Sequence, residues 1–247
     1  MSGQPSVVIE EVLGRSEQGV TEPFICRGDD GVVYFVKGAS AGRRSQVCEW
    51  VAAQLAAAFG LPVPVCVLAE VPAELIDVRV RPDIRDLGTG VVFASSRLSH
   101  VQELSLTTCA RVPPGQALDV LVFDWWLRNG DRTLTDFGGN PNLLWDVGAG
   151  TLWAIDHNQA FDRGFSAEQF LACHVFRAVW NRVYGDHEAR HQYALRMKAA
   201  LELLPVIRDS IPESWWWLDD DLPAAVSWDE IEGVLQRVHR HDFWNTP

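Results

Sequence analysis

Short apolar runs separated by turn residues occupy roughly the first 95 residues of the chain. The run VVIEEVLG predicts a strand, and PFICRGDDGVVYFVKG predicts a β-hairpin with its turn at the Gly and Asp residues. VPVCVLAEV and GVVFASSRL predict two further strands. We therefore expect this part of the chain to consist mostly of β-structure.

One helical pattern interrupts these strands. Apolar side chains recur at helical spacing on one face, at Val47, Trp50, Val51, Leu55 and Phe59. This spacing predicts a helix over about residues 45–59. Gly60 is expected to end the helix, and Pro62 and Pro64 are expected to keep the following segment extended.

Beyond residue 100 the apolar residues recur mainly at helical spacing. ALDVLVFDWWLRN, FLACHVFRAVW, HQYALRMKAALELL and WDEIEGVLQRVH each predict a helix. The exception is NLLWDVGAGTLWAID, where two apolar runs flank a Gly-containing turn and predict a hairpin. The patterns indicate an α+β fold over residues 1–247, with a strand-rich part at 1–98 and a mostly helical part at 99–247.

Polar residues lie at both ends of this second hairpin. Asn142 precedes its first strand and Asp156 follows its second, and these two ends of an antiparallel hairpin are neighbours in space. Amide and carboxylate oxygens suit Mg²⁺, and the carboxylate of Asp131, in the loop before them, suits a role beside an attacking hydroxyl. These residue types also favour turns and caps, so only their combination indicates a site.

A second pair of charged residues lies in the first part of the chain. Lys37 ends a predicted strand, and Glu49 lies in the first turns of the helix that follows. Kinases use a strand Lys and a helix Glu to hold an ammonium group at nucleotide phosphates. Strand alternation alone does not decide which way Lys37 faces, and an isolated lysine at a strand end is usually solvated.

Together these residues resemble the HipA-like kinases, which are distant relatives of protein kinases and of the phosphatidylinositol 3- and 4-kinases. The motifs are YFVKG, CEWVAAQLAAAFGLPVP, NGDR, NPNLL and IDHNQAF, within about residues 6–165. The resemblance implies a two-lobed, protein-kinase-like fold that binds ATP and Mg²⁺ between a β-rich N-lobe and a helical C-lobe. It assigns Lys37 to the ATP phosphates, Glu49 to anchoring Lys37, and Asp131 to catalysis. It assigns Asn142 and Asp156 to the metal.

The resemblance leaves further positions to consider. Arg132 is expected to assist at the phosphates, and Ser16, Gly19 and Thr21 are expected to cover them from the loop LGRSEQGVTEPF, which is not a GxGxxG. Thr133 stands where better-known members often have His. The segment between the catalytic Asp and NPN is also longer than usual, since TLTDFGG is inserted there.

Three other motifs are not assigned to the site. The literal DFG at 136–138 precedes NPN and has no strand before it, so it is interpreted as accidental. The HExxH at 187–191 matches a zinc-protease signature, but its charged surroundings indicate a solvated helix start. Of the three Trp residues at 215–217, one or two are expected to pack on the core and another to be partly exposed, with solvated acidic residues following at 219–221.

Composition narrows the possible partners and the compartment. The formal net charge of −12 and the lack of a long Lys/Arg run argue against nucleic acid and against an anionic membrane surface. Residues 50–69 are apolar but are interrupted by Gly and Pro, which predicts a helix followed by a strand rather than a membrane span. The opening residues lack a signal-peptide pattern, and the five cysteines form no CxxC, so we expect a cytoplasmic protein.

The implied reaction is transfer of the γ-phosphoryl group of ATP to a hydroxyl, with Ser or Thr of a protein as the expected acceptor. Two alternatives stay open: a phosphoinositide or small-molecule kinase, and a nucleotide-binding pseudokinase that regulates a partner. Thr133 and the lengthened loop before Asn142 keep the pseudokinase open. The sequence does not identify the acceptor, a self-modified hydroxyl or the oligomeric state.

Overall fold

The computed structural model of the protein describes residues 3–16, 22–77, 81–219 and 221–245. The chain forms two compact units. The first combines Met1–Trp50, Pro64–Ser99 and Val206–Val226, and the second combines Val51–Val63, His100–Pro205 and Ser227–Pro247. Each unit therefore takes residues from both sides of the predicted boundary between residues 98 and 99.

Five strands of the first unit form a closed barrel in the order β1-β2-β3-β5-β4: β1 (Val7–Arg15), β2 (Phe24–Gly28), β3 (Val33–Lys37), β4 (Cys66–Val71) and β5 (Gly90–Ser96). All neighbouring strands are antiparallel except β1 and β4, which are parallel. Phe24 pairs with Val36 and Arg27 pairs with Val33, which confirms the predicted hairpin.

Alternating side chains of the barrel strands point into one core, as the two-residue period of a strand requires. The buried cluster includes Val7, Ile9, Phe24, Cys26, Tyr34, Val36, Ala69, Val71, Val92 and Ala94. Helix α2 (Ala73–Asp77) belongs to this unit, whereas helix α1 (Arg43–Phe59) has its residues up to Trp50 in this unit and the rest in the second. Helix α1 ends where the sequence predicts, because Gly60 adopts the positive φ of 85° that suits glycine at a helix C-terminus.

The second unit contains a small antiparallel sheet in the order β6-β7-β8: β6 (Val101–Glu103), β7 (Leu143–Asp146) and β8 (Thr151–Ala154). Leu143 pairs with Ala154 and Asp146 pairs with Thr151, which confirms the second predicted hairpin. The α-helices between residues 106 and 201 are α3 (Leu106–Cys109), α4 (Pro114–Leu127), α5 (Ala167–Cys173), α6 (Asn181–Tyr184) and α7 (His187–Leu201).

Helix α4 is the most deeply buried helix segment of this unit, since every residue from Val120 to Leu127 is buried. Such a helix, apolar on all sides, belongs in a core rather than at a surface. The ring of Phe59 stacks on Tyr193 with centroids 6.1 Å apart and packs at a tilt against Phe123 with centroids 5.3 Å apart. These contacts make the aromatic side chains around α4 the centre of the unit.

The prediction of one helix over FLACHVFRAVW is wrong at its centre. Helix α5 ends at Cys173, His174 has an extended conformation, and a separate 3₁₀ turn covers Arg177–Val179. The buried ring of His174 makes hydrogen bonds to groups outside the helix, and these replace the helical continuation.

The C-terminal elements are α8 (Leu204–Ser210), β9 (Trp217–Asp219), β10 (Leu222–Pro223) and α9 (Trp228–Leu235), followed by a 3₁₀ turn at Gln236–His239. Residues 206–226 belong to the barrel unit, where Trp215 is buried and its Nε1 donates to the carbonyl oxygen of Val91 at 2.9 Å. Trp217 is 42% exposed. The expectation of buried and exposed members in the Trp triplet is therefore confirmed.

The observed mixture of an N-terminal sheet with helices confirms the predicted α+β class. No helix within the described residues has both the length and the apolar composition needed to cross a membrane.

Candidate active site

The barrel unit holds a buried ion pair between Lys37 and Glu49. Lys37, the last residue of β3, is 7% exposed, and Glu49, in the second turn of α1, is 2% exposed. The ammonium Nζ donates to the carboxylate Oε1. The structure therefore resolves the direction of Lys37, which strand alternation left open. A buried pair of this kind is held by mutual compensation, because neither charge is solvated.

Two neighbours that the sequence did not single out hold Lys37 in place. The Nε2 of Gln46 donates to the carbonyl oxygens of Lys37 and Gly38, at 3.1 and 3.0 Å. A Cβ at Gly38 would lie 2.5 Å from the carbonyl oxygen of Leu87, so only glycine allows this close approach. The end of β3 is thus fixed against both α1 and the segment before β5.

The second unit brings Asn142 and Asp156 to one end of the β7–β8 hairpin. They flank the paired residues Leu143 and Ala154, and the amide of Ile155 donates to the carbonyl oxygen of Asn142 at 3.1 Å. Both residues have positive φ, 49° and 53°. Asn and Asp accept this left-handed conformation more readily than other non-glycine residues. Their side-chain types therefore suit both the backbone and a ligand site.

Asp131 lies beside this hairpin end. Its Oδ2 accepts hydrogen bonds from the Nδ2 of Asn142 at 3.1 Å and from the Nδ2 of Asn140 at 3.3 Å. Burial raises the pKa of the Asp131 carboxyl above its ordinary value, and the neighbouring carboxylate of Asp156 raises it further. Arg132 and the two amides oppose this shift. Asp131, Asn142 and Asp156 thus form one local cluster, as the sequence predicts.

Arg132, which is expected to assist at the phosphates, lies in the interior. Its side chain is 1% exposed. Its Nε donates to Asp124 Oδ2 at 2.7 Å, and its Nη1 contacts backbone carbonyl oxygens of the hairpin end. These contacts hold the guanidinium on protein acceptors in the interior rather than at the surface.

Asp124 and His174 support Arg132 from the interior, and the sequence did not single them out. Asp124 lies within α4 and is fully buried, and it accepts from the Nδ2 of Asn129 at 2.8 Å and from Arg132. The Nε2 of His174 lies 3.1 Å from Asp124 Oδ2, while its Nδ1 accepts from the amide of Phe176. A carboxylate inside the apolar run VLVFDWWL was the available signal, because a buried charge requires a partner.

The remaining predicted residues are placed as follows. Ser16 follows β1 and its amide donates to the carbonyl oxygen of Pro23 at 2.9 Å, whereas Gly19 and Thr21 lie outside the described residues. Thr133 is half-buried and forms an isolated bridge with His174. The DFG at 136–138 lies in an exposed turn, away from a strand end, which agrees with its interpretation as accidental.

A cavity of about 210 Å³ opens beside Asp131 in the second unit. Its lining includes Asp131, Gln159, Asp162, Phe165, Ser166 and Gln169. Two carboxylates and several neutral polar groups line it, and none of its lining residues is a Lys or Arg. This charge distribution favours a neutral or cationic group over an anionic one.

The HExxH segment forms the start of α7. His187 and His191 are exposed, and Asp186 caps the helix by accepting from the amides of Glu188 and Ala189. Among the residues that the structure describes, no group of three His, Cys, Asp or Glu side chains could hold a metal ion.

The sequence model of the HipA-like kinase family matches residues 9–247, which is nearly the whole chain. The chain therefore belongs to the HipA-like kinase family. This membership confirms the resemblance seen in the motifs and supports a kinase function.

Among solved structures, the chain is similar to the Helicobacter pylori proinflammatory kinase CtkA. The match has 13% sequence identity and a TM-score of 0.43, and it covers 96% of this chain and 92% of that chain. No match was found among curated proteins.

Proposed function

We propose that the protein transfers the γ-phosphoryl group of ATP to a hydroxyl group, with Ser or Thr of a protein as the acceptor. The observation that carries this proposal is the cluster of Asp131, Asn142 and Asp156 at the open end of one hairpin, in a member of the HipA-like kinase family. Phosphoryl transfer requires positioning and charge neutralisation more than covalent chemistry by the protein, and these residue types supply both.

Each residue has a defined role in the proposed reaction. Asp131 accepts the hydrogen bond of the acceptor hydroxyl and orients it toward the phosphorus. Lys37 neutralises charge on the ATP phosphates, and Glu49 holds its ammonium in the required place. Ser16, together with Gly19 and Thr21, is proposed to cover the phosphates.

Asn142 and Asp156 are the residues that would hold Mg²⁺. Because the Nδ2 of Asn142 donates to Asp131, its Oδ1 is the amide atom suited to a cation, and Asp156 adds a carboxylate oxygen. Two protein oxygens fit Mg²⁺, which usually completes its shell with water and substrate phosphates. When bound, the ion neutralises charge on the phosphate oxygens.

The cavity beside Asp131 is the proposed position of the acceptor. Among the described residues that line it there is no Lys or Arg, whereas a phosphoinositide head group needs cations to bind its phosphates. A hydroxyl in a neutral or cationic protein segment therefore fits this cavity better than an anionic lipid head group.

The proposal is tested by measuring the transfer of radiolabelled phosphate from ATP to a mixture of substrate proteins. We expect Asp131→Asn to lower phosphate transfer by about 100-fold or more, the usual contribution of a positioned acid–base group. Asp136→Asn is the matched control, because this exposed carboxylate of the accidental DFG lies in the same loop. It should retain wild-type turnover.

The alternatives give different results in the same experiment. Nucleotide binding without transfer by the wild type, unchanged in Asp131→Asn, would support a pseudokinase instead. Transfer to phosphoinositide vesicles but not to protein would replace the proposed acceptor class.

A further inference from the structure

The buried guanidinium of Arg132 joins the three segments that carry the candidate site residues. Arg132 follows Asp131 directly in the chain. Its Nη1 lies 3.2 Å from the carbonyl oxygen of Pro141 and 3.1 Å from that of Ile155, and it also donates to the carbonyl oxygen of Asn142. These carbonyls precede or belong to Asn142 and precede Asp156. One side chain therefore contacts every backbone segment from which the cluster projects.

The named strands end at Leu143 and Ala154, and beyond them the amide of Ile155 still donates to the carbonyl oxygen of Asn142. The positive φ of Asn142 and Asp156 then turns the chain out of strand geometry, and the Arg132 guanidinium supplies a donor from outside the hairpin to the carbonyl oxygens there. A planar guanidinium offers donors in several fixed directions and can bond a carboxylate and several carbonyls together. A lysine ammonium is a compact point charge and cannot span the same set.

Asp124 supplies the compensating charge beneath Arg132. Burial acts to raise the pKa of Asp124, but the Arg132 guanidinium and the His174 hydrogen bond outweigh it and lower the pKa to about 2. Burial lowers the pKa of His174, so its ring is neutral at pH 7 and donates through Nε2 while Nδ1 accepts from Phe176. The carboxylate thus receives hydrogen bonds from Arg132, His174 and Asn129. These hydrogen bonds hold the Asp124 carboxylate in place, and the carboxylate in turn holds the Arg132 guanidinium through its Nε.

We propose that Arg132 is a positioning residue that sets Asp131 relative to Asn142 and Asp156 from the protein interior, with Asp124 as its fixed counter-charge. This inference rests on the proposed function for the roles of those three residues. In this role Arg132 does not contact the phosphates but holds the backbone that carries the proposed metal-binding residues, Asn142 and Asp156. Removing a group that orients metal ligands typically lowers metal affinity or activity about 10- to 100-fold.

The variant Arg132→Lys tests the inference, because it keeps the charge and loses the fork of donors. Mn²⁺ binding to the protein–ATP complex, followed by electron paramagnetic resonance, reports on the metal ligands without requiring turnover. We expect Mn²⁺ affinity and kcat each to fall about 10- to 100-fold. The affinity for ATP without metal should stay at the wild-type value. Arg182→Lys, an exposed arginine of α6, is the matched control and should change none of these quantities.

A second variant separates positioning from folding. Arg132→Met combined with Asp124→Asn removes both buried charges while the Asn side chain can still accept from His174. We expect this double variant to fold, as judged by circular dichroism, and to show the same loss of Mn²⁺ affinity as Arg132→Lys.

Three results would overturn the inference. Metal-free ATP affinity that falls as much as kcat would indicate a direct nucleotide contact by Arg132. Wild-type Mn²⁺ affinity in Arg132→Lys or in the double variant would show that Arg132 does not orient the ligands. Absence of nucleotide-dependent Mn²⁺ binding in the wild type would also refute it. By contrast, Mn²⁺ binding without phosphate transfer by the wild type would refute only the proposed function. The Mn²⁺ affinities of the Arg132 variants would still test the positioning role of Arg132.

Discussion

Replacing Lys37 with Met removes the ammonium of the buried ion pair and leaves the Glu49 carboxylate without its counter-charge. Both side chains are almost fully buried, so solvent cannot compensate the lost partner. The remaining carboxyl group lowers the cost of its buried charge by taking up a proton. For a carboxyl of ordinary pKa, about 4.3, protonation at pH 7 costs about 3.7 kcal/mol. This value agrees with the roughly 3–5 kcal/mol expected for removing one partner of a buried pair.

Urea unfolding followed by tryptophan fluorescence measures this loss. With an m value of about 3 kcal/mol per M, a loss of 3.7 kcal/mol lowers the midpoint by about 1.2 M. The penalty should shrink as the pH falls from 7 toward about 4.3, because the proton is then taken up at little cost. Arg27→Met is the matched control, since Arg27 forms an exposed pair with Glu11 and its loss should cost below about 1 kcal/mol.

The double variant Lys37→Met with Glu49→Leu completes the test. Replacing a buried ion pair by apolar side chains is often neutral or stabilising, so we expect most of the lost stability to return. Phosphate transfer should stay absent, because the proposed phosphate-binding ammonium is missing. A midpoint for Lys37→Met equal to that of the wild type, or a loss of stability independent of pH between 7 and 4.5, would refute the reasoning.

Three further predictions follow from the structure. Trp215→Ala should cost about 3–5 kcal/mol of unfolding free energy because Trp215 is fully buried, whereas Trp217→Ala should stay within about 0.5 kcal/mol; urea unfolding of both compares them. The stability advantage of the wild type over Asp124→Asn should narrow by about 2 kcal/mol as the pH falls from 4 to 2, measured by unfolding across that range. The folded pKa of Asp124, about 2, lies below its ordinary value of 3.8, so this stability is present above pH 3.8 and is lost toward pH 2. Asn142→Ala should raise the Mg²⁺ concentration that gives half-maximal activity, measured by Mg²⁺ titration of phosphate transfer.

Each of these predictions has a contradicting outcome. Equal losses for the two Trp variants would show that burial does not separate them. A constant difference between wild type and Asp124→Asn down to pH 2 would mean that the carboxyl titrates normally. An unchanged Mg²⁺ requirement in Asn142→Ala would remove this residue from the metal site.

Local patterns in the sequence were sufficient to predict most secondary-structure elements and the proximity of Asn142 and Asp156. The strand before Lys37, the apolar face of α1 and the helix end at Gly60 were each predicted from residues only a few positions apart in the chain. The β7–β8 hairpin was also predictable, because a short turn between two apolar runs is enough to bring Asn142 and Asp156 to the same end of the hairpin. These features depend on short-range geometry, which neighbouring residues determine.

Contacts between distant segments were decided only by the tertiary structure. In the sequence, Arg132 is a loop residue next to the proposed catalytic residue Asp131. In the structure, its guanidinium is buried and donates to the carboxylate of Asp124 and to carbonyl oxygens of the hairpin end. His174, 50 positions from Asp124, breaks the helix that its neighbours predict because a buried charge must be hydrogen-bonded. Residues 206–226 likewise join the barrel unit, with Trp215 bonded to Val91 from 124 positions away.

The physical reason for the difference is how far apart the interacting groups lie in the chain. Periodicity and turn chemistry express interactions between close neighbours, so Lys37, Glu49, Asn142 and Asp156 could be recognised from the residues around them. Whether a polar side chain faces solvent or compensates a buried charge depends on partners that only the folded chain brings near. The amino-acid sequence therefore determined which residues are candidates for the proposed chemistry, and the packing placed one of them, Arg132, in the interior.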